Sequence, residues 1–565
     1  MLVLHSHMPY VLSHGKSPHG TDWLFESAAE CYLPILDALD RLRLQGIKPR
    51  WTINLTPILG EQLDDPSFKS GFEDYCQEKI DYAVSDQARF DKHSELKMVG
   101  IAAMWQRVYS RALMQFKHKW GRSITGALRE FQEDGLIELI TCGATHGYFP
   151  LLGTDESVQA QVKLAVSSHV RRFGSKPRGI WLPECAYRPG YDWKSPVGED
   201  ETPWPRKAVD DFVRESGIEY FFVDSHLIRG GEPLGTYWQK FPQLAEMFER
   251  SRHLFTPPAE ARSEYEHYTL AGGTVVMARD PETTVKVWSG DIGYPGDEYY
   301  LEFHKQLYPG RLRYWRISQN KADLGAKEPY DPWVAYDRIH GHARDFVSLV
   351  KGTLSRYRGQ ANREGTVVAM YDTELFGHWW WEGPEFLYES ALEMHRDGSV
   401  EMVSGGDLID REPPRHRISL PEGSWGEGGY HSVWLNEDNI WTWADLYPCQ
   451  KRMREMASAL AGGPAHEIVE QCARELLLAE ASDWQFLIST WVARDYAEAR
   501  FADHIERFNR LADLALEVQQ GHVMTGTEKE FLLDCQEKDA CFPEIDLAYW
   551  AKLDHPLSLS GVPSS

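Results

Sequence analysis

Seven short apolar runs are spread along the first two thirds of the chain, and each gives way to polar residues. They are Leu2–His7 (LVLHSH), Arg50–Thr56 (RWTINLT), Leu136–Cys142 (LIELITC), Gly179–Leu182 (GIWL, then Pro183 and Glu184), Glu219–Asp224 (EYFFVD), Thr274–Arg279 (TVVMAR) and Thr366–Tyr371 (TVVAMY, then Asp372). Runs of this length, bounded by Gly, Pro or polar residues, predict buried strands, the fourth of them stopping at Glu184. Between them the apolar spacing turns helical. Leu24, Ala28, Tyr32, Ile35 and Leu39 mark a helix from Trp23 to about Leu44. Asp22 is the expected cap, Gly46 lies just past the end, and Pro34 predicts a kink or break inside.

Strands alternating with helices predict a parallel α/β barrel or a doubly wound sheet. No GxGxxG follows the early runs and no GxxxxGK[ST] occurs, so a nucleotide-binding sheet is disfavoured. A barrel with its site at the strand C-termini fits better. Residues 60–133 read as an insertion or outer helices. The stretch Leu227–Ala271, rich in Gly, Pro and aromatics, reads as a lid or binding loop. Beyond residue 386 an aromatic, Gly-rich segment, Trp425–Trp443, leads into helices. Ile468, Cys472 and Leu476 keep i,i+4 spacing there, as do Val469, Ala473 and Leu477, and these stripes predict helix–helix core. The expected organisation is a barrel over 1–385, with insertions near 60–133 and 227–271. A helical domain over 386–565 then lends aromatic residues to the cleft.

Composition narrows the function classes. At 565 residues the chain exceeds one simple core. A net charge of −25 argues against nucleic acid, an anionic membrane surface or an anionic substrate. The 21 Trp, 26 Tyr and 23 Phe suit flat, neutral, partly apolar ligands such as sugar rings, although core packing accounts for many of them. Eight dispersed Cys form no CxxC pair, which removes a zinc ribbon and a thioredoxin-like motif. With no signal-peptide pattern and no run of 18 apolar residues, a cytoplasmic protein with reduced thiols is expected. The first run begins one residue after Met1, so the natural start is expected slightly upstream.

The chemistry-bearing residues sit where the strands end. His5 and His7 share one strand face. They suit either a metal or hydrogen bonds to a ligand, and the second is favoured because no HExxH follows. Gly143 and Gly147 flank His146 in a tight loop. Glu184 and Asp372 end two different strands and face each other across the mouth if the barrel closes. Two carboxylates about 5–5.5 Å apart support retaining cleavage of a glycosidic bond. One attacks the anomeric carbon, and the other protonates the leaving oxygen and then acts as base. Their environments must push their pKa values apart. His5, His7, His146 and Asp224 are candidates to hold sugar hydroxyls, and Arg279 to keep the nucleophile ionised. Trp23, Trp288, Trp425 and Trp434 are candidate stacking platforms, with core packing the competing reading.

Five segments then resemble, in order, the motifs of glycoside hydrolase family 57: His5–Tyr10, Gly143–Tyr148, Trp181–Tyr187, Tyr371–His378 and Trp425–Leu435. Within that family the chain looks most like the α-1,4-glucan branching enzymes, through Asp22–Glu26, Arg279–Glu282, Gly293–Asp297 and Ser482-Asp483-Trp484. The resemblance implies a distorted (β/α)7 barrel with a helical C-terminal domain, Glu184 as nucleophile, Asp372 as general acid/base, and no metal or cofactor. It also brings His378 and Asp483 into the substrate-binding set. The implied reaction cleaves an α-1,4 bond and passes the chain to a 6-hydroxyl, with α-glucan (amylose, amylopectin, glycogen) as donor and acceptor. The subgroup's mobile loop bearing a Tyr corresponds to Leu227–Ala271, with Tyr237 as the candidate. A monomer or small homo-oligomer, without nucleic-acid or membrane partners, is expected. A 4-α-glucanotransferase or α-glucan hydrolase would share the catalytic residues. A metal-dependent deacetylase-like hydrolase and a non-catalytic glucan binder are the remaining classes.

Overall fold

All seven apolar runs form strands: β1 (Leu2–Ser6), β2 (Trp51–Leu55), β3 (Ile137–Ile140), β4 (Gly179–Ile180), β5 (Tyr220–Val223), β6 (Val275–Ala278) and β7 (Ala369–Asp372). The structure, a computed structural model, describes residues 1–198, 202–230, 262–319 and 323–558. The strands run parallel and in chain order. Leu2 lies opposite Ala369, Val3 opposite Thr52, and Trp51 opposite Ile137. A bridge from Thr141 to Ile180 joins β3 to β4, and β5 pairs with β4 and β6. The ring closes where the Asp280 N–H donates to the Val368 carbonyl at 2.9 Å. A short antiparallel strand, Tyr268–Thr269, occupies the free edge of β6 that β7 would otherwise pair with. The barrel is therefore distorted at this seam, a (β/α)7 ring with one loose joint. Helices cover the outside, so the strands are buried on both faces and read as continuous apolar runs.

The expected helix after β1 exists in three pieces: Thr21–Ser27, a wide π turn over Ala28–Tyr32, and Leu33–Leu44. Pro34 sits just after the wide turn, where its missing N–H does least harm. Asp22 is not the cap. Gly20 holds that position, and Asp22 lies one step inside the first turn, where its charge faces the positive helix end. Between β2 and β3 the polar segment is an antiparallel helix pair, Pro66–Lys92 and Leu96–Met114.

After β7 the chain becomes helical: Ile440–Leu460, His466–Ala479, Asp483–Thr490, Arg494–Gln519 and Gly526–Lys538. Cys472, Leu476 and Leu477 are fully buried, as are Phe501, Phe508 and Ala515 opposite them. This layer docks on the barrel mouth. Ser482 N–H donates to His146 O at 3.1 Å, Gly147 bridges Ala481, and Tyr447 O–H donates to Leu151 O at 3.0 Å. Among the described residues no helix is long and apolar enough to cross a membrane.

Candidate active site

β4 is shorter than its apolar run. Pro183 cannot donate to a ladder, and the chain leaves the sheet into a tight turn over Pro183–Cys185. Glu184 (φ 59°) and Cys185 (φ 47°) are both left-handed there. Each such residue costs about 1 kcal/mol or more, and such strain clusters at functional sites. The turn is closed by Cys185 N–H to Leu182 O at 2.7 Å and Ala186 N–H to Pro183 O at 3.0 Å.

The turn aims Glu184 into the barrel mouth with its side chain 15% exposed, enough for a ligand to reach it. Oε2 accepts from Trp425 Nε1 at 2.7 Å. Ser482 Oγ stands between Glu184 Oε1 (3.4 Å) and His146 Nδ1 (2.9 Å), and its one hydrogen serves the nearer His146 Nδ1. Burial pushes the Glu184 carboxyl up to about 7. The Trp425 bond pulls it down, the Asp483 charge raises it, and His7 and Ser482 lower it. Asp372 ends β7 opposite His5 on β1. Among the described residues no side chain donates to it. Burial first, then the charges of Glu374 and Glu184, lift its carboxyl well above the usual range, with Arg279 opposing. Donors collect at Glu184 and anions at Asp372. The first favours a carboxylate and the second a protonated acid, which is the division of labour that double displacement needs.

Three imidazoles line the wall beside them. His5 Nδ1 donates to Asn54 Oδ1 at 2.6 Å, and His5 Nε2 meets His146 Nε2 at 3.1 Å. His7 uses Nδ1 on Thr56 Oγ1 (3.1 Å) and Nε2 on Asp483 Oδ2 (2.9 Å). The rings stack, with His5 on Trp181 at 4.6 Å and His7 on His146 at 4.0 Å. Burial, then the neighbouring imidazoles, drives His5 and His146 well below the ordinary histidine value, so both are neutral. Burial also opposes the charge of His7, but Asp483, Glu374 and Glu184 outweigh it and raise its pKa. His7, His146 and Asp483 offer three ligand atoms within 4.8 Å of one another, as do His5, Cys142 and His146. All six ring nitrogens of the three histidines are already engaged in hydrogen bonds.

His5 and His146, each 3% exposed, hold one another rather than presenting free groups to a ligand. Asp224 is buried and pairs with Arg279 at 2.6 Å. Arg279 was expected beside the nucleophile. Its charge instead bears on Asp372, while the charges weighing most on Glu184 are those of Asp483 and His7. Trp425 serves Glu184 as a hydrogen-bond donor, with its ring edge-on to Trp181 and Trp288. Trp434 is fully buried and stacks on Tyr148 at 4.5 Å, as a core residue does. Trp23, half-buried, packs against His19 and Tyr496. His378 lies 3.5 Å from Glu26, outside the Glu184 shell. Tyr237 lies outside the described residues.

Sequence reasoning missed Glu374. It accepts from Tyr32 O–H at 2.6 Å and from His7 N–H at 3.1 Å, and its charge is the strongest on Asp372. Its place two residues after a strand-end Asp was the available signal. Gly377 (φ 111°) lets this segment turn over Glu30, whose carbonyl oxygen would lie 1.8 Å from any Cβ.

Comparisons with known proteins bear on the family and the fold. Residues 1–421 match the pattern of glycosyl hydrolase family 57, and residues 445–550 match that of the 1,4-alpha-glucan branching enzyme C-terminal region. The chain is 41% identical over 514 residues to a 1,4-alpha-glucan branching enzyme of Thermococcus kodakarensis, covering 90% of this chain and 73% of that one. The crystal structure of a branching enzyme of this family from Pyrococcus horikoshii superposes with a TM-score of 0.88 at 38% identity, over 98% of this chain and 97% of that one. An alpha-amylase from Thermotoga maritima superposes with a TM-score of 0.80 at 27% identity, over 98% of each chain.

Proposed function

The chain belongs to glycosyl hydrolase family 57, and from that premise we propose that it is a 1,4-α-glucan branching enzyme working by retaining double displacement. A carboxylate oxygen of Glu184 attacks the anomeric carbon of a glucosyl unit inside an α-1,4 chain. Asp372 gives its proton to the departing O4. The chain is then held as an ester on Glu184. Asp372, now a carboxylate, takes the proton of an acceptor 6-hydroxyl, whose oxygen displaces Glu184 and forms the α-1,6 branch. Two inversions retain the configuration. The carrying observation is the asymmetry of the pair: an indole N–H on Glu184 and carboxylate neighbours around Asp372.

The C-terminal region that matches the branching-enzyme pattern supplies Ser482 and Asp483 to the site, which favours transfer. The likeness to an alpha-amylase keeps hydrolysis as the second reading. Incubation with amylose, followed by proton NMR for α-1,6 anomeric signals and a reducing-end assay, separates them. Branching gives new α-1,6 signal with few new ends, and hydrolysis gives the reverse. Glu184→Gln abolishes both. Asp372→Asn cripples turnover of natural glucan but spares cleavage of a donor with an activated leaving group, which needs little protonation. Equal losses on the two donors would remove Asp372 from the acid role.

A further inference from the structure

On the flank of the barrel, the helices Leu33–Leu44 and Leu96–Met114, the start of the helix Pro332–Ala361 and the segment Trp381–Glu385 enclose a cavity of about 470 Å³. Neither Glu184 nor Asp372 lines it. Its polar wall includes Asp37, Arg41, Arg111, Glu382 and Glu385. Arg41 forks onto Glu385 at 2.5 and 2.8 Å, and Arg111 donates to Asp37 at 2.8 Å. Glu382 is 3% exposed. Its Oε1 accepts from Tyr330 O–H (2.8 Å) and Leu301 N–H (3.0 Å), while its buried Oε2 accepts no hydrogen bond. Tyr330, Tyr336 and Trp381 supply aromatic surface. Next to the lining residue Pro332, but not itself part of the lining, is Trp333, 81% exposed, the most exposed large apolar side chain among the described residues. Tyr336, 41% exposed, follows one turn later on the same helix face. Asp331 caps this first turn by accepting from the backbone N–H groups of Trp333 and Val334.

Both guanidiniums are already matched by carboxylates, so an anion finds no free cation here. An apolar ligand would strip water from these ion pairs and from Glu382 Oε2 without replacing its hydrogen bonds. Aromatic faces beside planar polar pairs fit a neutral, polyhydroxylated ring, and the volume lies within the usual range for ligand sites. We propose that this cavity and the Trp333–Tyr336 rim form a second glucan-binding site, holding a distant stretch of the polymer whose other end is in the barrel mouth. The proposal rests on the α-glucan reading above. A chain long enough to reach both sites gains affinity from their linkage, and a short oligosaccharide does not.

The test is the double variant Trp333→Ala/Tyr336→Ala in the full chain. Its native-gel migration is compared with the parent's in the presence and absence of glycogen, with KM for glycogen and for maltoheptaose measured in parallel. Retardation by glycogen is expected to weaken and KM for glycogen to rise about tenfold, with kcat and the maltoheptaose kinetics unchanged. Unchanged retardation and KM would overturn the proposal. So would a loss of mass in sedimentation by the variant, which would make the rim a contact between copies of the chain. Retardation is read without turnover, so a parent that is retarded but does not branch would refute the reaction and leave the site standing.

Discussion

Replacing Trp425 by Phe removes one N–H from the site and keeps most of the ring. In the structure that N–H points at Glu184 Oε2 from 2.7 Å, and the indole is edge-on to Trp181 at 5.1 Å with the Arg279 guanidinium 5.1 Å from its ring. A hydrogen bond to an ionised group contributes about 1.5–3 kcal/mol, and one pKa unit corresponds to about 1.4 kcal/mol, so its loss raises the Glu184 pKa by about 1–2 units. The sign follows from which form accepts the bond: the carboxylate does, so without the donor Glu184 takes up its proton at higher pH. The parent carboxyl already stands at about 7 because of burial. The variant is therefore mostly protonated at neutral pH and cannot attack.

The acid limb of kcat/KM reports this group in the free enzyme. It is expected to move up by about 1–2 units, with activity partly recovered toward alkaline pH until Asp372 loses its proton. The assay is branching of amylose from pH 5 to 10. Phe also leaves a small void, but loss of folded protein scales the whole profile without moving a limb. A reduced profile with an unmoved limb would refute the reasoning, because Trp425 would then shape the site without setting the charge of Glu184.

Two further outcomes follow from neighbouring groups. Glu374→Gln removes the strongest negative charge on Asp372, so the Asp372 pKa falls and the alkaline limb moves down by about 1 unit. That shift should appear with natural glucan and vanish with an activated donor. Asp539 is buried between His14, at 2.6 Å, and Arg507. Burial works against its charge, but the His14 bond and the charges of His504, His14 and Arg507 hold its carboxyl below the ordinary range. Its stabilising contribution is present above the unfolded carboxylate value near 3.9 and is lost as pH falls through the depressed folded value. Asp539→Asn leaves Arg507 and His14 short of a partner, costs about 3–5 kcal/mol, and should lower the apparent unfolding temperature at pH 7. An unchanged temperature would show that the cluster does not hold the helices together.

The barrel was legible because its strands are buried on both faces and so appear as unbroken apolar runs. Their ends were less legible. β4 keeps two residues of its run because Pro183 starts the turn that positions Glu184, and a run of hydrophobicity does not register a missing donor. Asp22 resembled a cap because Asp serves equally in the first turn. The common face of His5 and His7 followed from the two-residue period, but their partners did not, since Asp483 lies 476 residues from His7. The same distance problem hid the role of Trp425. An aromatic residue in a Gly-rich segment reads as a sugar platform, and only the fold brings its N–H to a carboxylate 241 residues away.

The residues after the barrel also make a sharper test of how the site keeps its two acids apart. Asp483, at the start of the helix Asp483–Thr490, raises the Glu184 pKa through its charge, while its partner His7 lowers it. After burial, Asp483 is the first influence on His7 itself and holds its proton in place. Asp483→Asn therefore removes two opposite charges together: the carboxylate goes, and the imidazole relaxes to neutral. Their effects on Glu184 largely cancel, so the acid limb should move by less than about half a unit, far less than with Trp425→Phe. Activity should still fall, because the charged bond that fixes the His7 ring against His146 is replaced by a weaker neutral one. A limb displaced as far as in the Trp425 variant would mean that the pair acts on Glu184 as a net charge. An unmoved limb with reduced turnover would place the electrostatic control in the Trp425 N–H and leave the helices the task of holding the histidine wall against the barrel mouth.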